Sequence, residues 1–353
     1  MRILLCAVNA KYIHSNLAVY SIRANAGEYR DQIKLGEYTI NQYVEDILQD
    51  IYKKKPDLIA FSCYIWNIRH IRELVGELRK VLPNVPIWLG GPEASYDAKG
   101  LLESYPEATG VLVGEGEESF YELCKYYDGK LENLADVKGI VYRKNDKIIE
   151  KPFELVKDLS SLKFAYEDFQ DFQHKIIYYE SSRGCPFSCS YCLSSIDKSV
   201  RFRDLELVKR ELQTFIDAKV PQVKFVDRTF NCKVSHAMEI WNYIQEHDNG
   251  VTNFHFEVAA DLITEEELEK MILLKGEENA MPQHEYFSVK SQVGFAASSF
   301  PGTFFGDEKN PSDLVLAHWL SGNSLWERIR TSGGAYGAYA GSSNLNGSFN
   351  MAT

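Results

Sequence analysis

Cys185-Pro186-Phe187-Ser188-Cys189-Ser190-Tyr191-Cys192 sets three thiols within eight residues. Thiolates are soft ligands suited to zinc or iron–sulfur, and this spacing lets one loop wrap three of them around a single centre. A structural zinc site takes four ligands, usually as two short pairs far apart, so a lone triplet leaves one coordination position open. Cys232 or His236 could complete a zinc site if the fold brought either one close. Three neighbouring cysteines cannot all pair as disulfides. The other four, Cys6, Cys63, Cys124 and Cys232, stand singly in apolar or helical stretches and read as small buried hydrophobes. The residues favour an open iron–sulfur site, with zinc or no metal as the other readings.

Upstream of this loop, the first 130 or so residues alternate strand and helix patterns, as a doubly wound parallel sheet does. Apolar runs at Ile3–Val8, Leu58–Cys63, Val85–Leu89 and Gly110–Val113 are short and continuous, as strands covered on both faces should be. Val44, Ile47, Leu48 and Ile51 share one helical face, and Ile68, Ile71, Val75, Leu78 and Leu82 share another, with Asn67 placed as its N-cap. Each strand runs into a loop of small or polar residues. Such loops gather at the carboxyl edge of the sheet, where open α/β folds bind ligands. The candidates there are Asn9, Ser62, Gly90, Gly91, Gly114 and Glu115. Glycines at that edge either admit a large cofactor or simply make tight turns between strand and helix.

From 134 to 174 the pattern loosens into a hairpin, Gly139–Tyr142 with Lys147–Glu150, and an acidic, aromatic linker. A strand at Lys175–Glu180 then delivers the cysteine loop. A helix from about Asp204, a strand at Val223–Phe230, a helix through Ala237, Ile240, Trp241 and Ile244, and a strand at Asn253–Ala259 follow. Thr264 and Glu267 open a further helix that stops at Gly276. This order reads as the start of a parallel β/α barrel, whose reactive groups sit on loops after the strands. Asp227 and Glu257 lie near such strand ends.

The C-x3-C-x2-C spacing with Tyr191 before the third cysteine resembles the radical S-adenosylmethionine superfamily. That resemblance implies a [4Fe–4S] cluster on Cys185, Cys189 and Cys192, with the fourth iron free to bind S-adenosylmethionine. A doubly wound domain directly ahead of the triplet is similar to the cobalamin-binding domain of the B12-binding members. In them the corrin lies over the sheet edge, so Asn9, Ser62, Gly90, Gly91, Gly114 and Glu115 become candidate cobalamin contacts. Tyr191, Asp227 and Glu257 become candidate contacts to S-adenosylmethionine. The Asp-x-His-x-x-G string that supplies an axial histidine in many cobalamin proteins is absent, which leaves the cobalt ligand open.

The last stretch looks like a different protein. Leu314–Ile329 has helical spacing and leads into Arg330-Thr331-Ser332-Gly333-Gly334-Ala335-Tyr336-Gly337. The string resembles the C-terminal half of M16 metallopeptidases of the presequence-protease type. Their H-x-x-E-H motif does not occur in the sequence, so no peptidase activity is expected. The expected organisation is a cobalamin-binding-like domain at 1–133, a hairpin and linker at 134–174, a partial barrel at 175–276 and an M16-like fragment at 277–353. The expected fold class is α/β, with a doubly wound sheet, a truncated barrel and an unrelated α+β fragment, in a chimeric or truncated chain. The final residues, Asn350 to Thr353, would leave an exposed sheet edge.

Composition bounds the function classes. A net charge of −11 disfavours broad phosphate-backbone binding, so a nucleic-acid partner is not expected. No apolar run approaches the ~20 residues that cross a bilayer, and the opening segment is too short for a secretory signal, so the expected location is cytoplasmic, with no membrane partner. The expected function is reductive cleavage of S-adenosylmethionine for methyl transfer or radical rearrangement on a small-molecule or unknown substrate, with an electron donor as partner. The alternatives are a non-catalytic cobalamin and iron–sulfur module, or an inactive peptidase-like fusion.

Overall fold

The computed structural model describes residues 1–145, 147–169, 172, 174–190, 192, 194, 199–263, 297–304, 306–321, 325, 339–343 and 347–352. Contacts divide the chain into two units, Met1–Glu277 and Glu278–Thr353.

In the first unit a seven-stranded sheet is built from β1 (Ile3–Asn9), β2 (Ile33–Thr39), β3 (Leu58–Ser62), β4 (Ile87–Gly90), β5 (Gly110–Leu112), β6 (Ile140–Lys144) and β7 (Lys147–Glu150). The order is β2-β1-β3-β4-β5-β6-β7. The first five strands run parallel and the last two antiparallel. β1 is buried at every residue, and its alternation feeds two cores. Ile3, Leu5 and Ala7 face one side with Leu58, Ala60 and Trp88. Leu4, Cys6 and Val8 face the other with Ile59, Phe61 and Leu89.

Six helices flank this sheet: α1 (Leu17–Ala24), α2 (Val44–Lys54), α3 (Ile68–Val81), α4 (Pro92–Tyr96), α5 (Ala98–Ser104) and α6 (Gly116–Tyr127). α1 and α6 close the first face, and α2 to α5 close the second. On α3 the buried stripe is Ile71, Leu74, Val75 and Leu78, each worth about 1.5–3 kcal/mol over exposure.

Two features depart from the sequence reading. β2, where Lys34 and Glu37 interrupt the apolar pattern, is an edge strand that the reading missed. The hairpin β6–β7 is no part of a linker, because β6 pairs with β5 and extends the first sheet.

The rest of this unit contains β8 (Ile177–Tyr179), β9 (Ser182–Arg183), β10 (Arg201–Phe202), α7 (Leu205–Asp217), β11 (Gln222–Phe225), α8 (Val234–Glu246) and β12 (Asn253–His255). β8, β11 and β12 form a parallel sheet in the order β12-β11-β8, and β9 pairs antiparallel with β10. Asp204 caps α7 by accepting the Leu207 N–H at 3.0 Å. Val208, Leu212 and Phe215 of α7 pack with Tyr179 and Phe225 in the same core that holds α1 and α6. β11 and β12 stop at Phe225 and His255, short of the expected Phe230 and Ala259, because 3-10 turns form at Phe230–Cys232 and Ala260–Leu262. The expected helix from Thr264 to Gly276 lies outside the described residues.

The second unit holds β13 (Ala297–Pro301), β14 (Tyr339–Ser343) and β15 (Ser348–Ala352), antiparallel in the order β13-β15-β14. Its helix, Asn310–Trp319, begins earlier than the expected Leu314, with proline in the first turn. Residues 330–337 lie outside the described residues. β15 is paired on both sides, so the edge expected near Asn350 is filled by β13, which the sequence reading missed. Among the described residues no helix is long and apolar enough to cross a membrane.

Candidate functional site

The strand order reverses between β1 and β3, and open α/β sheets bind ligands in the crevice outside such a switch point. Asn67 shapes this one. It stands at the N-cap position of α3, yet its side chain makes no bond to the helix. Its Nδ2 donates instead to the carbonyls of Val8 and Ser62, both at 2.9 Å, and its Oδ1 accepts the Tyr64 N–H at 2.7 Å. The ends of β1 and β3 are thereby tied, and the turn that carries Tyr64, Ile65 and Trp66 is fixed. Tyr64 stacks on Trp66 at 4.4 Å, while Ile65 is 78% exposed. Tyr12 and Ile13, in the loop after β1, are exposed as well.

Asn9 and Ser62 lie at these strand ends but are buried. Asn9 donates to the His14 carbonyl at 2.9 Å, and Asn16 Nδ2 reaches Asn9 Oδ1 and Ser62 Oγ, each at 3.5 Å. The glycines answer to the protein itself. Gly91 has φ +96°, and a Cβ there would stand 2.6 Å from the Cys63 carbonyl. Gly114 has φ +78°, and its Cβ would meet the Phe153 ring at 2.6 Å. At Gly90 a side chain would find only ordinary contact with Leu112. At Gly91 and Gly114 the protein's own packing already requires glycine. Glu115 is likewise engaged, accepting from Arg201 at 2.7 and 3.0 Å.

The cysteine loop leaves the second sheet just after β8. Cys185 is buried, Cys192 half-buried and Cys189 exposed, and all seven cysteines are free thiols. Tyr191 lies outside the described residues. Gly184, at φ +98°, closes the loop so tightly that a Cβ would collide with the Ser199 carbonyl. Cys185 Sγ lies 3.5 Å from Thr229 Oγ1 in the loop after β11. Among the described residues no three Cys, His, Asp or Glu side chains gather as a metal-holding group.

Asp227 is fully buried, and both of its oxygens already accept hydrogen bonds. Its Oδ1 accepts the hydroxyls of Ser181 at 2.7 Å and Ser182 at 2.6 Å, and its Oδ2 accepts the Ser181 N–H at 3.0 Å. Burial pushes its carboxyl up to about 6 despite these donors. Because the Ser181 proton is used on Asp227, His236 Nε2 donates to Ser181 Oγ at 3.1 Å. Burial, with Lys233 beside it, lowers the imidazole to about 4, so it is neutral and committed to this network. Asp227 caps no helix either, since α8 begins at Val234. Glu257, half-exposed, pairs with Lys224 at 2.9 Å, and its carbonyl accepts the Phe230 N–H. Cys6, Cys63 and Cys124 are buried as expected, but Cys232 is half-buried.

The loop after β11 carries Arg228 and Thr229. Arg228 lies within electrostatic reach of the Tyr64 hydroxyl, and Thr229 touches Cys185.

Residues 3–124 match the B12 binding domain family. The match ends within α6. The methyltransferase TokK of Streptomyces tokunonensis, cobalamin-dependent and radical S-adenosylmethionine by name, is 25% identical over 204 residues, covering 52% of this chain and 30% of its own. Hopanoid C-3 methylase of Methylococcus capsulatus is 27% identical over 203 residues, covering 55% and 39%. The chain is homologous to such methyltransferases, and its matches span less than half the length of these curated relatives. Among solved structures, the cobalamin-dependent S-adenosylmethionine radical enzyme OxsB, with aqua-cobalamin and S-adenosylmethionine bound, aligns at TM-score 0.62 and 19% identity over 76% of this chain and 41% of that one. TsrM from Kitasatospora setae, with cobalamin and a [4Fe–4S] cluster bound, aligns at TM-score 0.55 and 17% identity over 70% and 51%. These likenesses show a shared α/β fold.

The residues at the switch point of the B12-binding domain suit a large ligand with a flat apolar body and amide arms. Tyr64, Ile65 and Trp66 offer apolar surface, and Asn16 Oδ1 is buried there without a hydrogen-bond partner, an acceptor that a ligand amide can satisfy. The sequence reading missed Asn16, Ile65 and Trp66, and read Asn67 only as a helix N-cap. An apolar Ile-Trp pair between a strand and a helix, where loops are usually polar, was the available signal.

Proposed function

We propose that this chain is a radical S-adenosylmethionine enzyme of the cobalamin-dependent kind, transferring a methyl group to a small-molecule substrate. Radical rearrangement is the second reaction class of the same reading. Cys185, Cys189 and Cys192 would hold a [4Fe–4S] cluster, with the loop closing to gather the exposed Cys189 beside the buried Cys185. Cobalamin would occupy the β1/β3 edge at Tyr64, Ile65 and Trp66. When bound, the cluster and cobalamin supply single electrons and a transferable methyl group. One observation carries the reading: a B12-binding domain stands directly ahead of a parallel β/α sheet whose first strand leads into the Cys185, Cys189 and Cys192 loop.

The protein's own residues position and shield. Asp227, through Ser181 and Ser182, fixes the strand entering the cysteine loop. Asn67 ties the ends of β1 and β3 at the sheet edge. Glu257, freed from Lys224, and Tyr191 are the groups assigned to S-adenosylmethionine, because Asp227 is buried and bonded to Ser181 and Ser182. An external electron donor and a cytoplasmic setting belong to the same reading, without nucleic acid or membrane. The domain limits 1–133, 134–174, 175–276 and 277–353 are kept as its organisation, with the hairpin reassigned to the first sheet. The M16-like origin of the last segment, without peptidase activity, rests on sequence resemblance alone.

Reconstituted protein with cobalamin, S-adenosylmethionine and a low-potential reductant should release 5′-deoxyadenosine or S-adenosylhomocysteine, quantified by liquid chromatography. Reconstituted protein that binds both cofactors yet forms neither product would reduce the chain to a binding module.

A further inference from the structure

β9 and β10 close the base of the cysteine loop, and there Arg183 and Arg201 are register partners. Both guanidinium groups reach the start of α6 in the B12-binding domain. Arg201 grips Glu115 with two bonds, 2.7 and 3.0 Å. Arg183 donates to Glu117 at 2.6 Å and stands 3.5 Å from Glu115. The four side chains are between 6% and 15% exposed. Burial alone would raise the Glu117 carboxyl, but Arg183 outweighs it and holds the group below its usual range. Glu115 also accepts the Val156 N–H, and Arg201 donates to the Val156 carbonyl, each at 2.5 Å.

Two-pronged arginine–carboxylate pairs fix both distance and plane, and a desolvated pair tolerates loss of one partner poorly. Glu115 is the N-cap of α6 and Glu117 lies in its first turn, where the helix dipole favours negative charge. The stem of the cysteine loop is therefore braced by the first domain as well as by its own strands. We propose that Glu115 and Arg201 are positioning residues that set the stem of the cysteine loop against the B12-binding domain, so that cluster site and cobalamin edge keep a fixed separation. The purpose of the brace rests on the proposed cofactor reading; the brace itself does not.

The test uses the full chain, reduced and metal-free, with Glu115→Gln, Arg201→Gln and the double variant. Each is treated with N-ethylmaleimide under native conditions, and every cysteine is followed by peptide mass spectrometry. Cys185 should alkylate about tenfold or more faster in either single variant, while Cys63 and Cys124 stay protected. The double variant should add little, as expected for two groups in one interaction. An unchanged Cys185 rate overturns the proposal. Should Glu115→Gln also expose Cys63, the first sheet has been lost and Arg201→Gln decides, with the same two outcomes. In a second arm, after loading with iron and sulfide, the single variants should keep wild-type iron content but show an altered electron paramagnetic resonance spectrum with S-adenosylmethionine. An unchanged spectrum beside faster alkylation would leave only a structural brace and overturn the positioning role. Wild-type protein that takes up no iron would defeat the cofactor reading, with the Cys185 result still deciding the brace.

Discussion

The hydroxyl of Thr229 lies 3.5 Å from the sulfur of Cys185, joining the first cysteine of the loop to the loop after β11. A hydroxyl bonded to a cluster-bound thiolate favours the more reduced, more negative state. Thr229→Val, which keeps the shape and removes the bond, should leave iron content unchanged and lower the reduction potential. A redox titration followed by electron paramagnetic resonance measures it, and an unchanged potential would disconnect Thr229 from the cluster.

Corrin binding at the β1/β3 edge separates two kinds of residue. Trp66→Ala should weaken cobalamin binding about tenfold or more in equilibrium dialysis, with the urea midpoint unchanged, because Trp66 is half in water already. Gly91→Val should lower the urea midpoint as well, since its Cβ would press on the Cys63 backbone at a φ of +96°. Equal loss of stability in both variants would show that Trp66 is part of the core and not of a binding surface.

The buried pair around Ser181 gives opposing pH effects. Asp227 is raised from 3.8 to about 6, so the charged form is disfavoured in the fold and its contribution to stability falls as pH rises across that window. His236 is lowered from 6.5 to about 4, so its contribution is lost as pH falls from 6.5 toward 4. Each slope is on the order of 1.4 kcal/mol per pH unit, and in the wild type they largely offset. Asp227→Asn should therefore grow more stable from pH 4.5 to 6, and His236→Gln less stable, in urea titrations at the two pH values. Slopes of the same sign would mean that the two groups do not titrate as assigned.

How much of this was legible in the sequence depends on burial. β1 and β3 to β5 are covered on both faces and wrote continuous apolar runs, so they were readable with errors of a few residues. β2 is an edge strand whose alternate residues meet water, and its Lys34 and Glu37 hid it. The hairpin β6–β7 was visible as a local pattern, but pairing with β5 is a long-range fact that no local pattern carries. The three cysteines stand together in the sequence, but the described residues do not gather three thiols into one group, so their shared role is a proposal. Asp227 and Glu115 were read as ligand contacts because strand-end carboxylates look alike in sequence. Only the fold shows that one is bonded to Ser181 and Ser182 and the other to Arg201.

The central claim is that Cys185, Cys189 and Cys192 together hold one [4Fe–4S] cluster. Its most direct test is metal analysis after anaerobic loading with iron and sulfide, for the wild type and for Cys185→Ala, Cys189→Ala and Cys192→Ala. The account predicts about four irons per chain in the wild type and loss of the cluster in each variant. Stoichiometric zinc with no iron uptake, or a cluster that survives removal of any one of the three thiols, would contradict it.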